Sequence, residues 1–92
     1  MAVSRAERRK DREGRVVAAY GEDRASAVLD LLELVELAWH DCYSEISPSE
    51  DIVDDILLLG QGHFEKLIAA ARLAVMDRRD LKVAADEMRA RT

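Results

Sequence analysis

Apolar residues recur every three to four positions through the middle of the chain. Val28, Leu31, Leu32, Val35, Ala38, Trp39 and Cys42 fall on one side of an α-helix, and Asp30, Glu33, Glu36, His40 and Asp41 on the other. Residues 28–43 form the longest clean amphipathic stretch and hold the only tryptophan and the only cysteine. The pattern predicts a central bundle helix from about 24 to 43 or 44. Glu22 and Asp23 just before it suit the positive end of its dipole.

The next boundary is expected at Ser47-Pro48-Ser49-Glu50, read as a capping box with Ser47 as the cap, Pro48 in the first helical position and Glu50 closing it. The helix that follows has Ile52, Val53, Ile56, Leu57 and Leu59 on one face and stops at Gly60-Gln61-Gly62. A further helix from near His63 sets Phe64, Leu67, Ile68, Ala71, Ala74 and Val75 towards the core. Its Ala69-Ala70-Ala71 run lets a neighbour approach closely. Leu81, Ala84, Ala85 and Met88 are out of phase with that face by about a quarter turn, so a break is expected at 77–80 with Asp77 or Asp80 as the new cap.

Upstream, residues 4–15 are charged almost throughout and offer no apolar stripe. We expect residues 1–21 to be a charged arm or frayed helix, weakened at Gly14, with Val16, Val17 and Tyr20 as its foothold and Gly21 as its cap. Residues 22–92 are expected to form a single helical-bundle domain. The fold class is all-α: a small bundle of four to five short helices, mostly antiparallel neighbours.

Length adds a constraint. A chain of 92 residues is near the lower limit for a self-sufficient core, and dimerisation is a natural way to bury more surface. No apolar run approaches the ~18 residues of a membrane-spanning helix, and the first residues lack the apolar segment of a secretory signal. One cysteine excludes an intramolecular disulfide and a cysteine-based zinc site. The expected location is the cytoplasm.

Charge is unevenly distributed. Residues 1–15 carry six Lys/Arg against three Asp/Glu, residues 22–65 one against twelve, and residues 66–92 seven against four. Such a layout can steer a partner, or the basic ends can pack beside the acidic helices of the same molecule.

Candidate chemistry is sparse. His40-Asp41-Cys42-Tyr43 places four functional groups in a row, but successive helical residues point about 100° apart. Cys42 is expected to be a buried, inert thiol beside Val35 and Trp39. Glu33, Glu36 and His40 share a face and have metal-ligating side chains, but the Glu-x-x-His pairs of di-iron bundles are missing. The expected state is a solvated polar face. Asp51, Asp54 and Asp55 suit the first turns of a helix on dipole grounds alone. A helix-turn-helix across 50–76 would present acids to phosphates and offers only Lys66 and Arg72 for reading bases. The basic arm, with Arg5, Arg8, Arg9, Lys10, Arg12 and Arg15, is the better nucleic-acid candidate, although Glu7, Asp11 and Glu13 dilute it. There is no phosphate loop, nucleophile elbow or HExxH motif. No cofactor is expected.

What remains is surplus hydrophobicity. Leu29, Leu37, Leu58, Leu73 and Met76 lie off the expected core faces of three successive helices, which suggests that another subunit or a partner protein covers one face. The expected function is a non-enzymatic interaction module, homo-oligomeric or partner-binding, that docks through Leu37, Leu58, Leu73 and Met76 and is steered by the acidic middle. The alternatives are a nucleic-acid-associated regulator using the basic arm and an acidic-surface partner of a basic protein.

Overall fold

The computed structural model describes residues 3–91 as five helices: α1 (Arg5–Tyr20), α2 (Glu22–Tyr43), α3 (Glu50–Gly60), α4 (Phe64–Met76) and α5 (Arg78–Arg91). No strand occurs among the described residues. The expected all-α bundle is therefore observed.

Local chemistry sets the helix ends. Ser4 caps α1 by accepting from the Glu7 amide at 3.2 Å. A single residue, Gly21, separates α1 from α2. Its φ of 86° and ψ of 156° belong to a region that essentially only glycine enters. Ser44 ends α2 in the left-handed conformation, its amide donating to the His40 carbonyl at 3.0 Å. The cap of α3 is Ser49, which accepts from the Ile52 amide at 3.3 Å. Ser47, expected in that role, instead turns its hydroxyl inward to Glu36. The break between α4 and α5 falls where the phase shift placed it. Asp77 is extended, and its carboxylate accepts from the amides of Arg79 and Asp80.

In the packing order, α1 folds back on α2, α2 packs on α4, and α4 packs on α3. α5 lies against both α3 and α4. Val28, Leu32, Val35 and Trp39 from α2 meet Val53, Ile56, Leu67, Ala74 and Leu81 in the core, with Val16 and Tyr20 closing it from α1. Trp39 is fully buried and donates from Nε1 to Glu45 at 2.9 Å. Tyr43 stacks at a tilt on Trp39 and donates to the Ala74 carbonyl at 2.8 Å, tying the C-terminal end of α2 to that of α4. None of the described helices is long and apolar enough to cross a membrane.

Three side-chain placements differ from the helical-wheel expectation, each for a packing reason. The buried arc of α2 is turned towards α1, so Leu29 and Glu36 are inside while Cys42 is exposed. On α4 the small residues Ala70, Ala71 and Ala74 face inward with Leu67, which leaves Ile68 outside. Finally, within the expected charged arm or frayed helix of residues 1–21, Arg5–Tyr20 form a continuous helix with Arg12, Val16 and Tyr20 buried along one side.

Candidate functional site

Two features stand out beyond the core: a charged cluster under α1 and an apolar face shared by α2 and α4.

The cluster is built by a stripe of arginines. Arg5, Arg8, Arg9, Arg12 and Arg15 recur at helical spacing and run directly into Val16 and Tyr20, so one side of α1 carries both its cations and its apolar foothold. Glu36 of α2 is only 2% exposed. Arg8 grips it with two nitrogens, at 2.5 and 3.3 Å. Arg12 donates to it at 3.0 Å and Ser47 at 2.9 Å, while Arg5 stands 3.6 Å away. Arg12, itself 2% exposed, also reaches Glu50 of α3 at 2.9 Å and Ser47 at 3.1 Å. Arg9 pairs with Asp30 and Glu33, and Arg15 with Glu50 and Asp54.

Burial on its own would raise the Glu36 carboxyl. Hydrogen bonds from Arg8 and Ser47 and the charges of Arg12 and Arg8 overcome that and hold it below the usual carboxylate range. Glu50 is lowered in the same way, its burial outweighed by Arg12 and Arg15.

The cluster takes up the five arginines named as nucleic-acid candidates and leaves Lys10 outside it. Arg8, Arg9, Arg12 and Arg15 are engaged with acids of α2 and α3, and Arg5 lies at the edge of the Glu36 group. Lys10 is exposed. The basic C-terminal end behaves similarly, with Arg78 on Glu45 and Arg89 on the buried Asp55.

Metal-ligating geometry does not form. Glu36 turns into the arginine cluster and Glu33 to Arg9, while His40 is exposed with Asp41 at 3.8 Å. Asp54 and Asp55 are each held by an arginine of another helix. Among the described residues, no group of three or more His, Cys, Asp or Glu side chains could hold a metal ion. The expected solvated face thus holds for His40 and fails for Glu36.

The apolar face is a shallow open groove of about 310 Å³ between α2 and α4. Leu31, Leu34 and Val35 line one wall and Ile68, Val75 and Met76 the other, with Ala71 between them and Arg72 at the rim. Leu34 is 61% exposed, Ile68 45% and Met76 68%.

Of the five surplus apolar residues, the structure brings only Met76 to this groove. Leu37 is exposed one turn beyond Leu34 on α2, in a separate hollow with Ile46. Leu58 is half-buried in a third depression, between α1, α3 and α5. Leu73 is half-buried against the core. Leu29 is buried and offers no surface. The two residues that the sequence reading missed are Leu34 and Ile68. Leu34 stands three residues before Leu37, a spacing visible in the sequence; Ile68 needed the inward rotation of the alanines to be known.

Comparison with protein-family models, with curated proteins and with solved structures yields no match to this chain.

Proposed function

We propose that this protein is a small interaction module that pairs with a second copy of itself through the apolar face shared by α2 and α4. The observation that carries this reading is the side-by-side exposure of Leu34, Ile68 and Met76 around one groove. Single exposed apolar residues are ordinary on any protein. Three large ones gathered along a groove between two helices offer an apolar surface that a second copy could cover. A chain this small also gains in proportion, because a lone core of its size leaves little stability in reserve.

The alternative through the basic arm has less support, since four of its arginines are already paired within the molecule. A phosphate backbone would have to displace those carboxylates.

Light scattering tests the proposal. The wild-type chain should exceed its monomer mass of 10.3 kDa as concentration rises. Leu34→Glu and Ile68→Glu should each return it to monomer with unchanged helical circular dichroism. Each substitution is carried by both copies, so losing a buried Leu or Ile contact of about 1.5–3 kcal/mol per copy weakens association by at least roughly 10- to 150-fold. A wild-type chain that stays at monomer mass into the millimolar range would remove the proposal.

A further inference from the structure

We infer that the two copies meet across antiparallel α4 helices, in the register that sets Glu65 of each copy against Arg72 of the other. This rests on the self-association just proposed and assigns its geometry.

Glu65, Ile68, Ala69, Arg72 and Met76 are all exposed and lie on one stripe of α4. An acid and a base therefore bracket an isoleucine and an alanine. Among the described residues, neither Glu65 nor Arg72 takes part in an ion pair, whereas Arg8, Arg9, Arg12, Arg15, Arg78 and Arg89 all do. Nor can the two satisfy each other. They are two turns apart on the same helix, about 10 Å along its axis.

A second copy supplies the missing partners. When a two-fold axis passes between Ile68 and Ala69, antiparallel α4 helices bring Glu65 of each copy opposite Arg72 of the other, and the contact forms twice. The same axis places Ile68 of each copy over Ala69 of the other. A methyl-sized side chain there lets the helices approach to the 8–10 Å typical of packed pairs. Arg72 lies at the rim of the α2–α4 groove, so the charged contacts border the apolar patch as a polar rim. Leu34, on the opposite wall of the groove, extends the buried area beyond what a 13-residue helix could provide alone.

Charge also selects the orientation. A parallel pairing would set Glu65 against Glu65 and Arg72 against Arg72, repelling at both ends. Exposed ion pairs add little affinity, but like charges in contact discriminate against a wrong arrangement.

The test uses the full chain with Glu65→Arg, Arg72→Glu and the double variant, all at exposed positions, followed by analytical ultracentrifugation and circular dichroism. Each single reversal creates two like-charge contacts and should raise the dimer dissociation constant about tenfold. The double variant, which exchanges the two charges, should dimerise like wild type, and a one-to-one mixture of the single variants should form a heterodimer. Three outcomes overturn the inference. Single variants that dimerise as wild type, while Leu34→Glu still dissociates the complex, would refute the register and leave self-association standing. Single variants like wild type with a mixture tighter than wild type would indicate parallel helices. A strictly monomeric wild type would remove both the register and the reading beneath it.

Discussion

Removing the Glu36 carboxylate would leave the buried guanidinium of Arg12 with only Glu50 and Ser47 as partners, and would release that of Arg8. Breaking a buried ion pair by deleting one partner costs about 3–5 kcal/mol, because the remaining charge stays in a poorly solvated site. Because Glu50 still pairs with Arg12, Glu36→Ala should destabilise the chain by up to about that amount in urea titration, whereas Glu33→Ala, at a partly exposed pair, should cost below about 1 kcal/mol. The cluster also sets the acid response. Glu36 and Glu50 titrate lower in the folded protein than in the unfolded chain. Their contribution is thus complete above the unfolded value of about 4.3 and is lost as pH falls through the folded values. The urea midpoint should drop with pH from about 5 downward, and Glu36→Gln should flatten that slope. The sequence showed Glu36 as one carboxylate among several on a polar face. Its burial depends on α1 lying opposite, a tertiary fact with no local signature on α2. Leu29 was hidden for the same reason: it is buried in the core cluster to which α1 contributes Val16 and Tyr20, a packing that the polar middle of α1 conceals in the sequence.

At the scale of elements, the C-terminal end of α3 packs closely against both α1 and α4. A methyl group on Gly60 would stand 1.9 Å from the Tyr20 hydroxyl and 3.1 Å from the backbone of Leu67. Gly60→Ala must therefore displace the Tyr20 hydroxyl and press on the Leu67 backbone of α4, and a loss of about 1–3 kcal/mol is expected, as for other overpacked sites. Tyr20→Phe removes the hydrogen bond to the Leu57 carbonyl, worth about 1 kcal/mol. The two changes share an atom and should not add. The double variant should lose less than the sum in a thermal or urea double-mutant cycle, because deleting the hydroxyl relieves the shorter contact. Element existence was legible because apolar periodicity and turn residues agree over most of the chain, and the break at Asp77 could be read from phase alone. What periodicity could not supply was the rotation of each helix about its axis. Two or three alanines on α4 decide which side meets α3, and they carry too little hydrophobic weight to outvote Ile68 on a helical wheel. That rotation is what creates the exposed face, so the proposed site was less legible than the fold that bears it.

At the scale of the whole molecule, the uneven charge of the sequence resolves into a contact. The basic first helix lies along the acidic second and third, and α5 returns Arg89 to Asp55. Many of the cations and acids that could have advertised a charged partner are thereby used to hold the bundle together. This makes α1 a structural member despite its polar composition, with a direct consequence for truncation. A chain of residues 22–92 would lose the cover over Leu29 and Glu36 together with Val16 and Tyr20 from the core. Its formal charge would also rise in magnitude, because the deleted segment is net positive while the remainder is net acidic. It should show no cooperative thermal transition in circular dichroism, whereas an appended arm could be removed with little change in melting temperature. Adding residues 3–21 in trans as a peptide should restore the transition. Restoration should weaken as salt is raised from about 0.05 to 0.5 M, because the partly exposed pairs of Arg9 and Arg15 are screened over that range. The part that survives at high salt measures Val16, Tyr20 and the buried Arg12–Glu36 pair. A truncated chain that melts like the full one would mean that the cluster under α1 fastens a dispensable helix and contributes nothing to the core it covers.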